Sequence, residues 1–331
     1  MPNIVDVARA AGVSPMTVSR ALNRPGMVSP ETRAKVLAAV EQLGYVPNAV
    51  ARSLVQGRTQ MVALVLSDIQ NPFFTAVSRG VEDAAHQYGY TLVVGNTDEQ
   101  PEKERRYLDV FSSRRVDGVI LSTSGADHIR LLRERGIPVV LIDREIPGVE
   151  ADVVVNDVYD GGRQLIGHLV ERGYREIAFV GGPAGNSTLE QRLAGCRDAA
   201  REAGLSLSVR LGRFDRASGE EITASLCEAG ALPEAIVAAN NLVAVGVLVE
   251  LRRRGLRVPD DVGLACFGEI ELASLIDPFL TVVKEPEYQA GRLAMEMLHD
   301  RILGFDGAPR KQVLPVELMA RRSTQRPGAG R

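Results

Sequence analysis

AGVSPMTVSRALN, residues 11–23, is the stretch whose reading decides the fold. A helix built only to pack would carry a clean apolar stripe and a Lys/Glu outer face. This one instead presents hydroxyls and an arginine. Upstream, Asn3 caps a helix over IVDVARAA with Ile4, Val7, Ala8 and Ala11 on one side, and Gly12 closes it. Ser14 is a good N-cap, and Pro15 takes the first helical position, where its missing N–H costs nothing. A second helix therefore runs from about Pro15 to Leu22. Two short helices about a glycine-containing turn make a helix-turn-helix, whose second helix can enter the major groove of DNA. Its polar positions then face base edges and phosphates. A third helix, capped by Ser29 and begun by Pro30, continues through TRAKVLAAVEQL to Gly44, with Val36, Leu37, Val40 and Leu43 as the stripe that closes a three-helix unit. A generic small helical bundle is the alternative.

Charge supports the first reading. Residues 1–60 hold seven Lys or Arg against three Asp or Glu, and the remaining chain holds 32 against 39. A basic head on an acidic body suits a head that meets a polyanion. The 331 residues, 45% hydrophobic and 24% charged, suffice for two or three compact units. The longest apolar runs, MVALVL and PVVLI, are strand-sized and far short of a membrane span. No segment reads as a secretory signal. Cys196, Cys227 and Cys266 form no CxxC pair, which fits a reduced, cytoplasmic setting. The four histidines lack ligand spacing, so neither a metal site nor a cofactor is expected.

After Gly44 comes YVPNAVARSLVQGRTQ, in which Asn48 can cap one or two helical turns over AVARSLV. So short a helix is unstable alone and forms when DNA or a partner copy orders it. From Met61 the chain alternates strand-like and helical stretches: MVALVL, TLVVG, GVIL and PVVLI with helices between, then a second round that restarts at DVVV and ends in a late strand near VLPVEL. Alternation of this kind means parallel sheets covered on both faces, and two rounds suggest two lobes with a ligand at the carboxyl ends of their strands.

IVDVARAAGVSPMTVSRALN followed by VSPETRAKVLAAVEQLGYVPNAVARSL resembles the DNA-binding head of lactose-repressor (LacI/GalR) family regulators, nearly unbroken over residues 4–54. VALVLSDIQNPFFTAVSRGVEDAA, RVDGVILS, IPVVLIDR and LRVPDDVGLACFG are similar, more loosely, to the family's effector-binding core. The resemblance implies an α/β chain of four parts: a helix-turn-helix head over 1–46, a hinge helix and linker over 47–60, a two-lobed core like the periplasmic sugar-binding proteins over 61–322, and a disordered tail over 323–331. It implies a homodimer on a near-palindromic operator. Ser14, Pro15, Met16, Thr17, Ser19, Arg20 and Asn23 would meet the major groove. Asn48, Ala51 and Leu54 would serve the hinge, with Leu54 wedged into the minor groove. Met16 and Pro15 donate no side-chain hydrogen bond, so readout there is apolar, and Arg20 is the candidate for a bidentate guanine contact or a phosphate.

Carried over residue by residue, the family's cleft would be lined by Asn71, Phe73, Asp98, Arg144, Arg192, Phe214, Asn241 and Glu269. The chain departs from the family pattern at Asn156-Asp157, Asn240-Asn241 and Phe267-Gly268-Glu269, each time around an expected aspartate. Fewer carboxylates beside Arg144 and Arg192 would make the cleft less negative, which points to a sugar carrying an acid or phosphate group. A neutral sugar and a nucleobase stay open as effectors, as does the sense of the response. The tail MARRSTQRPGAGR lacks heptads and so favours a dimer over a tetramer. A solute-binding protein of a transport system would suit the body but not the head. An enzyme is disfavoured, since there is no GxGxxG after a strand, no GxxxxGK[ST] and no GxSxG.

Overall fold

The structure, a computed structural model, describes residues 2–23, 25–46, 58–123, 125–270 and 280–326. The hinge candidates Asn48, Ala51 and Leu54 lie outside them. The chain divides into two compact units at residues 60/61.

In the first unit α1 (Ile4–Ala11), α2 (Pro15–Asn23) and α3 (Pro30–Leu43) form where the caps require. The Asn3 side chain accepts from the Val5 and Asp6 N–H groups, while the Asp6 carboxylate accepts the Asn3 N–H at 2.9 Å, a reciprocal capping box. Gly12 ends α1 at φ 66°, and the Ser29 hydroxyl caps α3 through the Thr32 N–H at 3.2 Å. Val7, Val18 and Val36 are fully buried with Ala8, Ala21 and Ala39 around them. Leu37 departs from the expected stripe: it is 44% exposed, and Ala39 takes its place. The face that meets α1 and α2 runs through 36, 39, 40 and 43, and residue 37 is rotated one position off it.

The second unit begins with β1 (Met61–Leu66), β2 (Thr91–Asn96), β3 (Gly118–Leu121), β4 (Val139–Ile142) and β5 (Asp152–Asn156). They form a parallel sheet in the order β5-β4-β3-β1-β2. Between them lie α4 (Pro72–Gln87), α5 (Pro101–Ser113) and α6 (Ala126–Glu134). The chain then crosses to a second sheet: α7 (Val158–Glu171), β6 (Ile177–Gly181), α8 (Ser187–Glu202), β7 (Leu207–Leu211), α9 (Arg216–Glu228), β8 (Ala235–Ala238), α10 (Asn241–Arg253), β9 (Gly263–Phe267) and β10 (Thr281–Lys284). Here the order is β10-β9-β8-β6-β7, again parallel. It crosses back through α11 (Glu287–Ile302), whose Ala290, Ala294 and Leu298 pack in the core of the first sheet. β11 (Lys311–Leu314) joins β5, and after a third crossing β12 (Glu317–Met319) pairs antiparallel with β10.

Three expectations change. DVVV does not restart the pattern; β5 completes the first sheet, and the second lobe begins with α7. VLPVEL holds two strand ends in different sheets, because Pro315 has no N–H for a ladder and the chain turns there. The tail expected to be disordered from residue 323 is ordered at its start, since Ser323 and Thr324 are fully buried, and residues 327–331 lie outside the described residues. The Ser323 hydroxyl donates to Leu264 O at 2.5 Å and accepts the Thr281 N–H at 2.7 Å, so these hydroxyls satisfy buried backbone beside β9 and β10.

Helices α7 and α8 touch backbone to backbone. A Cβ on Gly195 would lie 2.0 Å from Tyr159 O, and one on Gly162 would lie 2.6 Å from Arg192 O. No side-chain shift relieves contacts to carbonyls, so Gly195→Ala is expected to destabilise the body by about 3 kcal/mol in urea unfolding. The transition of the head should stay in place.

Candidate functional site

The outward face of α2 is free of the core. Val18 and Ala21 point inward, whereas Ser14, Pro15, Met16 and Arg20 are exposed, Met16 to 63%. Thr17, Ser19 and Asn23 flank them, partly buried. Some of their polar capacity is used within the helix. Ser14 Oγ accepts the Thr17 N–H at 3.1 Å and shares a hydrogen bond with Thr17 Oγ1 at 2.9 Å. The Asn23 amide donates to Ser19 O at 3.0 Å. Among the described residues Arg20 has no ion pair, so its guanidinium projects as an uncompensated cation beside an apolar Met16, a pairing suited to a groove edge.

A cleft of about 680 Å³ opens at the carboxyl ends of the strands of both lobes. The first lobe contributes Asp68, Asn71 and Phe73 after β1, Asp98 and Glu99 after β2, and Asp143 and Arg144 after β4. The second contributes Asn186, Thr188 and Arg192 around the start of α8, Phe214 after β7, Asn240 and Asn241 after β8, and Phe267 and Gly268. Glu285 lines it from the crossing after β10. Seven of the eight cleft residues expected from the sequence are therefore brought together.

Glu269 is the exception. Its carboxylate turns away and takes the Arg321 guanidinium on both oxygens, at 2.8 and 2.5 Å. Arg321 correspondingly holds the carboxyl below its ordinary pKa against the opposing effect of burial. Gly268, before it, has φ 81°, a conformation that a carboxylate-bearing residue adopts only with strain.

Several of the gathered residues also have local duties. Asn71 Oδ1 caps α4 through the Phe73 N–H at 3.0 Å. Asp98 accepts from Lys103 at 2.5 Å and from Asn96 at 2.7 Å, which lowers its pKa. The Asn241 amide donates to Glu269 O at 3.2 Å. The arginines are compensated as well. Arg144 clamps Glu99 through both terminal nitrogens, with Nη1 at 2.9 Å from Oε2. Arg192 Nη2 donates to Glu285 Oε1 at 2.6 Å, and Nη1 to Ala239 O at 2.8 Å. Its guanidinium carbon lies 5.0 Å from the centre of the Phe267 ring. At the rim Arg213 pairs with Asp215 and Arg216 with Glu220.

Charge in the cleft therefore differs from expectation. Six carboxylates line it (Asp68, Asp98, Glu99, Asp143, Asp215, Glu285) against four guanidiniums (Arg144, Arg192, Arg213, Arg216). The aspartates absent from the family positions are more than offset by Glu99, Asp143 and Glu285, which sequence reasoning missed. Asp143 carried a signal, being the neighbour of Arg144 at the end of a strand-like run. Glu285 and Glu99 lie in loops whose direction only the fold sets.

Among the cleft carboxylates, Asp143 has its pKa raised. Burial pushes its pKa up to about 6, against the opposing pull of Arg144 and Arg192 and with added repulsion from Glu285 and Glu99. Its backbone has φ 70°, and its carbonyl accepts the Thr188 hydroxyl at 2.7 Å, a direct hydrogen bond from one lobe to the other. A folded pKa above the unfolded one means that the folded chain holds a proton the unfolded chain has released, so stability falls as pH rises from about 4 to about 6. Asp143→Asn removes that loss. The variant should match the native chain below pH 4 and exceed it by up to about 3 kcal/mol at pH 7, read as a pH series of thermal midpoints.

Comparison with known proteins accords with this geometry. A family model described as "Bacterial regulatory proteins, lacI family" matches residues 3–48, and one described as "Periplasmic binding proteins and sugar binding domain of LacI family" matches residues 59–322. The chain is 36% identical over 325 residues to the ribose operon repressor of Halalkalibacterium halodurans, covering 98% of each. Among solved structures, the lac repressor dimer bound to operator and the anti-inducer ONPF superposes with a TM-score of 0.88 at 27% identity, over 98% of this chain and 99% of that one. The cellobiose complex of the transcriptional regulator CelR does so with a TM-score of 0.75 at 33% identity, over 98% and 100%. With a helix-turn-helix head and a two-sheet effector-binding body matched over nearly their whole length, the chain belongs to the LacI family of DNA-binding transcriptional regulators.

Proposed function

We propose that the chain is a cytoplasmic, homodimeric repressor without enzymatic activity, that it reads a near-palindromic operator through α2, and that its effector is a neutral sugar held in the cleft between the lobes. The observation that carries the effector is the charge balance: each guanidinium in the cleft already faces a carboxylate, and carboxylates are in excess. Carboxylates accept two hydroxyl donors each, and Phe73 and Phe214 offer apolar walls from opposite lobes, a combination that fits a polyol. An acid or phosphate group would have to displace an existing partner. The ribose operon repressor and the CelR–cellobiose complex named above are in keeping with a sugar.

Control is a linkage. The Thr188–Asp143 hydrogen bond joins the lobes beside the site, so an effector that changes the Asp143 environment favours one lobe arrangement over another by the difference in its contacts. The hinge, with Asn48, Ala51 and Leu54, would transmit that preference by folding on the operator or fraying. Heads in the two subunits would double every base contact, which sets the half-site symmetry.

Titration against an operator selected from random duplexes tests the DNA side. Arg20→Ala should weaken binding by about 1–3 kcal/mol per head and, if the contact is to phosphate, reduce the salt slope by about 1. The effector side is tested by pH. A neutral sugar donates to ionised Asp143, so its affinity should be full above pH 6 and fall by up to about tenfold per unit below it. An acid or phosphate effector would instead bind more tightly on acidification. Calorimetric titrations with ribose, cellobiose, the corresponding sugar acids and phosphates, and nucleobases distinguish these outcomes.

A further inference from the structure

Arg192 and Glu285 form the most deeply buried ion pair in the cleft, with side chains 8% and 1% exposed. Three elements meet there: α8 brings the arginine, the crossing after β10 brings the glutamate, and the end of β5 brings Asn156, whose amide donates to Glu285 Oε2 at 2.9 Å. Both terminal nitrogens of Arg192 are engaged by the protein, yet its Nε and the Asn156 Oδ1 are buried with no hydrogen-bond partner among the described residues. Arg192 and Glu285 both line the cleft, and a carboxylate beside the guanidinium offers lone pairs that accept from a hydroxyl. An anion at the same place meets the Glu285 charge beside a guanidinium that is already neutralised.

We propose that Glu285 determines the charge selectivity of the cleft: by neutralising Arg192 in place it makes this subsite take hydroxyls and refuse anions. The proposal rests on the reading of the cleft as the effector site, and it assigns to one residue a preference that the cleft as a whole only suggests. Glu285→Gln then turns the subsite into an anion site. The substitution is nearly isosteric. The new amide oxygen keeps the Arg192 contact, while its NH₂ faces Asn156, whose own amide turns over to present the oxygen that is now idle. Packing is retained and the one carboxylate hydrogen-bonded to the Arg192 guanidinium is lost, which leaves Asp143 as a more distant counter-charge shared with Arg144.

Inorganic sulfate is the probe, titrated by calorimetry into the full chain at pH 7.5 and constant ionic strength. The expected result is that Glu285→Gln binds sulfate at least about tenfold more tightly than the native chain, and that Arg192→Gln in the same chain removes the gain. Equal sulfate binding by the native chain and Glu285→Gln overturns the proposal, as does a gain that survives the loss of Arg192. Should the single variant fail to fold by circular dichroism, the native chain and the double variant decide. The double variant leaves no lone charge buried, and both chains should refuse sulfate. Sulfate binding by the native chain that the double variant lacks would make Arg192 an anion receptor despite Glu285, contrary to the proposal. Parallel titrations with ribose and cellobiose keep the two readings apart: if neither sugar binds, the effector class above fails, while the sulfate comparison still decides the role of Glu285.

Discussion

A buried guanidinium must be neutralised where it lies, and in this protein that requirement ties the lobes, the crossings and the cleft together. Arg192 comes from a helix that rests on another helix by backbone contact at Gly162 and Gly195, so its position is set by packing and hardly by its own side chain. Its counter-charge, Glu285, stands on one crossing, and the partner of that counter-charge, Asn156, ends the strand leading into another. Separating any of these would leave a charge in a low-dielectric interior, which costs several kcal/mol. The cleft is thereby held at its foot, while its rim, with exposed Arg213 and Arg216, is free to adapt.

The two units solve opposite problems. The head has a core of six small side chains and relies on caps at both ends of its helices to make up for it. A unit so small is marginal, which suits one that must dock on DNA with an outward helix face committed to contacts and not to packing. The body buries four extended clusters on the two faces of its two sheets. Packing of that extent holds strained and desolvated groups in place at the cleft, among them Asp143 with its positive φ and raised pKa.

Much of this was legible in the sequence. Each head helix was placed to within a residue, because caps and terminal glycines are local chemistry: Asn3, Ser14, Ser29, Gly12 and Gly44 act on their own first or last turn. Seven cleft residues were expected from the family resemblance, and the structure brings them together because the ends of parallel strands converge, with Arg192 added from the first turns of α8. Leu37 was misplaced because a one-position rotation of α3 depends on what faces it. Glu269 was misplaced because Arg321, 52 residues away in the chain, outbids the cleft for its carboxylate.

The sequence by itself therefore determined the three head helices, the strand–helix alternation of the body, the division at residue 60 and the outward face of α2, since caps, breakers and hydrophobic period act within a few residues. The tertiary structure alone decided which sheet takes β5 and where the chain crosses between lobes. It also decided the charge of the cleft, because that charge is the sum of groups from six separate segments of the chain, and their ionisation is set by the burial and the neighbours that folding gives them.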